Sequence, residues 1–290
     1  MISGIITKGI GGFYYVKAKD EIYECRARGK FRKEKVTPLV GDRVKISINQ
    51  ASKQGMVEEI IPRDMEFIRP PVANVNQAII VFAVKRPDPH LMLLDRFLAM
   101  AENEEIDVVI CFNKIDLDEE YFIELKNMYR DTGYKVLGTS VKLGIGIDQF
   151  KEILKDKITV FAGPSGVGKS SLLNATQPNL SLKTGEISEK NKRGKHTTRH
   201  VELLELDFGG WVLDTPGFSS LNLDFIEENE LQYLFREFTP FIGKCKFTGC
   251  KHVNEPKCAV KKALEENNIS QSRYGSYMQL LKEINQKRRY

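Results

Sequence analysis

Apolar and polar positions fall into three regimes along the chain. In residues 1–70, short runs rich in β-branched and aromatic side chains (5–7, 13–16, 22–26, 42–48 and 56–60) are separated by Gly, Asp-Glu and Asn-Gln breaks, the pattern of short strands joined by turns. Five such strands predict a small all-β barrel of Greek-key OB type, with an SH3-like barrel as the alternative. Pro70-Pro71 closes this regime, because proline cannot donate to a ladder and restrains the residue before it. In the second regime the runs 77–84, 107–112, 157–162 and 210–213 are nearly continuous and apolar, as strands buried on both faces must be. Between them, 91–103, 119–132, 148–156 and 169–176 carry the spacing of amphipathic helices, and 135–137 reads as one more short strand. This alternation predicts a doubly wound α/β domain with its ligand at the carboxyl ends of the strands. Beyond residue 230 the chain reads as helical, interrupted by Cys and His. Its last helix puts Tyr277, Leu280, Leu281 and Ile284 on one face, ahead of Lys287-Arg288-Arg289. The expected division is an all-β OB-fold domain at 1–70, an α/β domain at 71–228 and a small helical domain at 229–290.

Composition narrows the class. Hydrophobic residues make up 41% of the 290 and charged residues 29%, with a mean hydropathy of -0.33. The longest apolar run, residues 78–84, is seven positions long, far below the ~20 that span a bilayer. No charged leader with an apolar core and cleavage pattern is legible, so neither membrane insertion nor secretion is expected. Five cysteines, three of them clustered, are not spread as a disulfide framework, and a reducing cytoplasm is the expected compartment. Cys25 and Cys111 read as ordinary buried thiols. The net charge of +5 hides an asymmetry: residues 1–70 hold 14 Lys and Arg against 9 Asp and Glu, residues 71–230 hold 18 against 25, and residues 231–290 hold 12 against 5. Two basic ends around an acidic middle suggest a polyanionic partner, and Arg26, Arg28, Lys30, Arg32, Lys33 and Lys35 would border the open face of the barrel.

The chemistry lies in the second regime. Gly163-Pro164-Ser165-Gly166-Val167-Gly168-Lys169-Ser170, followed by Ser171, runs from a predicted strand into a predicted helix, the context of a phosphate-binding loop. Its glycines let backbone N–H groups wrap phosphates at the helix N-terminus; Lys169 would reach the β- and γ-phosphates and Ser170 would ligate Mg²⁺. Asn113-Lys114-Ile115-Asp116 follows another strand. Asp116 there can accept from the N1–H and 2-amino group of guanine, donors that adenine lacks. Asn113 can meet the N7/O6 edge while the Lys114 stem covers the ring, so the expected ligand is GTP or GDP and not ATP. Ser140-Val141-Lys142 fits the loop that backs the guanine O6. Asp214-Thr215-Pro216-Gly217 ends a strand with an acid able to hold Mg²⁺ through water and a glycine able to sense the γ-phosphate. Thr198, ahead of Thr197, is the candidate switch threonine completing the Mg²⁺ shell. Phe218 stands where a water-orienting Gln is usual, so hydrolysis waits for a partner or another side chain substitutes, with His196 the nearest candidate. Among nucleotide switches the guanine-reading loops normally follow the phosphate loop. Here they precede it, which predicts a circularly permuted GTPase domain whose Asp214–Gly217 segment leads directly into the C-terminal region.

Cys245, Cys250, His252 and Cys258 form a Cys3His set within 14 residues, suited to one tetrahedral structural Zn²⁺ with no position left open. Lys244, Lys246, Lys251, Lys257, Lys261 and Lys262 surround it.

Taken together, these motifs and their order resemble the RsgA family, also called YjeQ or YloQ, the small-ribosomal-subunit-dependent GTPases of bacteria. The resemblance covers the whole chain. It implies slow intrinsic GTP hydrolysis stimulated by the small subunit, binding to that subunit and its rRNA near the decoding region, a role in late maturation alongside other assembly factors, and release on hydrolysis. Lys195 stands where the family commonly has arginine, preserving charge while losing a bidentate contact. No uncommitted apolar heptad is legible, and a monomer is expected.

Overall fold

A computed structural model describes residues 1–49, 53–67, 71–180, 201–213 and 226–287. Strands β1 (Ile2–Ile10), β2 (Phe13–Ala18), β3 (Glu21–Ala27), β4 (Arg43–Asn49) and β5 (Gln54–Ile60) close into a barrel in the order β1-β2-β3-β5-β4. All its pairs are antiparallel except β3 with β5, a five-stranded Greek-key barrel of OB type. Alternation along the strands sends Ile6, Val16, Cys25, Val44, Ile46 and Val57 into a solvent-free interior. The chain adds a short helix, α1 (Gly29–Lys33), that buries only Phe31. The basic residues expected to border the barrel lie on and around this helix, and Arg26, Arg28, Lys30, Arg32, Lys33 and Lys35 are all exposed.

The barrel is fastened to the α/β domain. A short ladder, β6 (Glu66–Phe67) with β7 (Val72–Ala73), leads out of it. Arg63 grips the fully buried Asp42 through Nε at 2.7 Å and Nη2 at 2.8 Å. Val72, Val75, Ala78, Ile158, Val160, Leu203 and Leu213 share one apolar core with the barrel residues. Ion pairs at 2.9 Å join Lys8 to Glu202 and Lys17 to Glu205.

The central sheet comprises β8 (Gln77–Ala83), β9 (Asp107–Asn113), β10 (Lys135–Thr139), β11 (Ile158–Ala162), β12 (Leu203–Glu205) and β13 (Trp211–Leu213). Their spatial order is β10-β9-β8-β11-β13-β12, parallel except for the edge strand β12. Because β8 through Ala83 is apolar on both sides, alternate residues feed different layers. Ile79, Val81 and Ala83 pack with Phe150, Ile153, Leu172 and Leu173 of α4 (Ile147–Leu154) and α5 (Lys169–Thr176). Ile80 and Phe82 pack with Leu94, Phe97 and Leu98 of α2 (Leu91–Asn103) and with Leu125 of α3 (Glu119–Met128). The helix expected over 119–132 stops at Met128, and a 3-10 turn, Arg130–Thr132, carries the chain to Gly133 at φ +75°. Strand order reverses at β8, whose neighbours are β9 on one side and β11 on the other. The crevice at a reversal is where open α/β sheets bind ligands.

After residue 226 two 3-10 turns, Leu231–Leu234 and Arg236–Phe238, precede α6 (Ala259–Glu265) and α7 (Gln271–Lys287). The face expected of the last helix is the buried one: Tyr277, Leu280, Leu281 and Ile284 pack around Phe235 and Phe238. This module docks on α2 through charged groups. The fully buried Arg273 donates to Glu237 (2.7 and 3.1 Å) and to Asp95 (2.7 Å), which also accepts from Tyr129 Oη at 2.9 Å. Arg96 pairs with Glu283, and Arg236 with Glu102 at 2.7 Å.

Candidate guanine-nucleotide site and metal centre

Strands β8, β9 and β11 bring the phosphate loop and the guanine-reading loops to the same end of the sheet. Residues 163–168 connect β11 to α5, and two glycines are indispensable to their path. Gly163 has φ +130° with Val81 O 2.0 Å from where a Cβ would stand; Gly168 has φ +99° with Asn113 Nδ2 at 2.4 Å. No side chain fits at either. Lys169 is buried, and its Nζ donates to Gly163 O at 2.8 Å and Pro164 O at 2.6 Å. Desolvation lowers its pKa to about 8. Ser170 is buried beside it, while Ser165 and Gly166 are exposed at the loop's outer turn.

The residues that sequence assigns to guanine are braced against this loop. Asn113, at the end of β9 and 2% exposed, donates from Nδ2 to Val167 O at 2.9 Å and accepts from Thr139 Oγ1 at 3.1 Å. Both ends of its amide are engaged by protein, so Asn113 ties the base-reading loop to the phosphate loop and to β10. In a trans peptide the N–H points opposite to its C=O, so this brace turns the Gly168 N–H away from Asn113. Lys114, in the left-handed region at φ 61°, reaches Arg86 O and Gly166 O, the latter at 2.7 Å. Desolvation lowers its pKa, against the opposing pull of Asp116. Asp116 is half-buried and accepts at Oδ1 from Ser140 Oγ at 2.5 Å, and Ser140 Oγ in turn accepts from Leu143 N at 3.2 Å. The hydroxyl thus fixes the carboxylate that sequence assigns to guanine. Val141 packs at the edge of the α4/α5 layer, and Lys142 is exposed.

His196, Thr197, Thr198, Asp214, Gly217 and Phe218 lie outside the described residues. The strand that precedes Asp214, β13, is the parallel neighbour of β11 and pairs Ile158 with Trp211.

The four metal-ligand candidates converge. Their ligand atoms all lie within 4.8 Å of one another. Cys245 and Cys258 Sγ are 3.8 Å apart, and His252 Nδ1 is 3.2 Å from Cys258 Sγ and 3.6 Å from Cys245 Sγ. A tetrahedron with zinc–sulfur bonds of about 2.3 Å has edges of about 3.8 Å, so the donor set fits Zn²⁺. Two further features suit a metal. Ala259 N donates to Cys245 Sγ at 3.3 Å and Lys261 N to Cys258 Sγ at 3.5 Å, bonds that fix where these two sulfurs stand. Burial lowers the His252 pKa, favouring the neutral ring a metal requires. His252 sits at φ 61°, its carbonyl taken by Tyr274 Oη at 2.6 Å. Of the surrounding lysines, Lys244, Lys246, Lys251, Lys257 and Lys262 are exposed; Lys251 pairs with Glu228 at 2.6 Å and Lys262 with Glu266 at 3.6 Å.

A phosphate loop that comes after its guanine-reading loops in sequence, yet meets them at one sheet reversal, defines a circularly permuted GTPase. Family models agree: RsgA GTPase matches residues 60–224 and RsgA N-terminal domain residues 3–57. Proteins named small ribosomal subunit biogenesis GTPase RsgA are 55% identical to this chain in Alkaliphilus metalliredigens, covering 100% of both chains. The Caldanaerobacter subterraneus subsp. tengcongensis protein of that name is 53% identical, covering 100% of this chain and 98% of its own. Among solved structures, YjeQ from Thermotoga maritima superposes with a TM-score of 0.84 at 38% identity over 98% of each chain. YloQ, described as a circularly permuted GTPase, gives 0.81 at 43% identity over 99% of this chain and 96% of its own. The chain belongs to the RsgA family of GTP hydrolases.

Proposed function

We propose that this protein is a cytoplasmic, monomeric GTPase of small-ribosomal-subunit biogenesis. It binds the small subunit through its rRNA, assists late maturation beside other assembly factors, hydrolyses GTP slowly alone and faster on the subunit, and leaves when hydrolysis is complete. The observation that carries this reading is the end-to-end match to relatives bearing that name, in a chain whose base-reading Asp116 is held by Ser140 next to an intact phosphate loop. Its parts divide the work as residues 1–70, 71–228 and 229–290. The exposed basic residues around α1 and the zinc module give two polyanion-binding surfaces on either side of the nucleotide domain.

Within the site, Asp116, braced by Ser140, selects guanine, and Asn113 and Lys114 hold the base loop to the phosphate loop. Gly163, Pro164, Ser165, Gly166, Val167, Gly168 and Ser171 shape the phosphate cradle. Lys169 exchanges the carbonyls of Gly163 and Pro164 for the β- and γ-phosphates. Ser170, with Thr198 and Asp214 through water, would hold Mg²⁺, which offsets the charge that builds on the transferred phosphoryl group. Gly217 senses the γ-phosphate, and His196 substitutes for the missing water-orienting Gln. Cys245, Cys250, His252 and Cys258 would hold one structural zinc ion. Co-sedimentation at moderate salt tests the reading: a non-hydrolysable GTP analogue should carry the protein onto small but not large subunits more strongly than GDP does, and Asp116→Asn should lose that difference. Equal small-subunit binding with GTP analogue, GDP and no nucleotide contradicts it.

A further inference from the structure

His252 presents Nδ1 to the sulfurs, and its other nitrogen is not free. Nε2 lies 2.9 Å from Gln232 Oε1. Gln232 is itself oriented, because its Nε2 donates to Asn229 O at 2.9 Å, leaving only the carbonyl oxygen of the amide to face the ring. An amide oxygen accepts and never donates, so the His252 proton sits on Nε2 and the Nδ1 lone pair points at Cys245 and Cys258. Phe238 stands edge-on to the imidazole at 6.1 Å and Tyr277 tilts against it at 6.3 Å, so the ring, 1% exposed, is confined.

The geometry points to Gln232 as the residue that fixes the tautomer of His252 and thereby sets how tightly the Cys3His site holds its metal. This rests on the assignment of that site to zinc. Such a partner raises the basicity of the ligating nitrogen and removes the cost of reorienting the ring on binding. Gln232 is a positioning residue. It belongs to the segment after Asp214–Gly217, which is also fastened to the module by Glu228, bonded to Lys251 Nζ at 2.6 Å and Asn285 Nδ2 at 2.8 Å. The metal centre is thus completed by a side chain from outside the loop that supplies its four ligands.

The test uses the full chain, loaded with zinc, and reads metal rather than turnover. Zinc content is measured first, then zinc affinity by competition with a chromogenic chelator, for wild type, Gln232→Leu and Gln232→Glu. The expected result is one bound zinc in wild type, a loss of roughly 10- to 100-fold in affinity for Gln232→Leu, and retention in Gln232→Glu, which keeps an acceptor. Long-range nitrogen–proton correlations on histidine-labelled wild type should show the His252 proton on Nε2, a readout that stands if Gln232→Leu fails to fold. Equal affinity in wild type and Gln232→Leu, or a proton on Nδ1, overturns the role of Gln232 while leaving the zinc site in place. A wild-type chain that holds no zinc overturns both.

Discussion

Lys169 is the side chain on which the response of the nucleotide site to pH turns. Its ammonium is buried among loop carbonyls, and desolvation lowers its pKa to about 8. A phosphate placed beside it favours the charged form, so the bound state retains a proton that the free state loses above pH 8. GTP affinity should therefore be level below about pH 8 and fall as pH rises beyond it, by up to tenfold per unit. Titrations of wild type and Lys169→Arg check this, since the guanidinium stays charged and the share of the decline due to Lys169 should vanish. The second prediction at this scale concerns Asp116. Replacing it by Asn leaves the Ser140 contact possible but puts an amide against guanine donors, and GTP affinity should drop by at least about 100-fold with little change in melting temperature. An unaltered affinity would remove Asp116 from base reading. The motif expected to read the base is visible in sequence, but its brace is not: Asn113 and Val167 are 54 positions apart and meet only because β9 and β11 flank β8.

Elements differ in how plainly they are written in the chain. β8 is an apolar run long enough to be read as a buried strand, and α2 follows the helical period from Leu91 to Asn103. β12, three residues long, has too few positions to show a period, and α1 is hard to read because four of its five residues are polar or glycine. Arg273 is silent for another reason: a charged residue on a helix reads as a solvated one until Glu237 and Asp95, 36 and 178 positions away, are brought to it. Truncating a buried partner leaves the others uncompensated, so Arg273→Ala should cost about 3–5 kcal/mol. Urea unfolding followed by probes of α7 checks it; a loss below about 1 kcal/mol would make the pairing incidental. Zinc removal acts on the same element. Cys250 and Cys258 lie in the apolar core that buries α7, so chelation should melt the 17-residue helix while the barrel and sheet persist. Unchanged helical circular dichroism after complete chelation contradicts this.

Across the whole molecule, the nucleotide domain is held on both sides. The barrel shares a core with β11, β12 and β13 and is ion-paired to residues 202 and 205, while the C-terminal module grips α2 through Arg273, Glu283 and Arg236. In the permuted order the barrel precedes β8 in sequence and the C-terminal module follows β13, so each flanking part is joined to a different strand of the sheet. A GTPase built this way has exposed basic residues on both of the parts that flank its nucleotide domain, and the proposed function uses them as its two contacts with the subunit. The most direct measurement is the rate of GTP hydrolysis by zinc-loaded protein alone, with purified small ribosomal subunits and with large subunits, for wild type and Lys169→Ala. Stimulation by small subunits only, abolished in Lys169→Ala, is the predicted result. A rate that small subunits leave unchanged, or that large subunits raise equally, would contradict a small-subunit-gated GTPase.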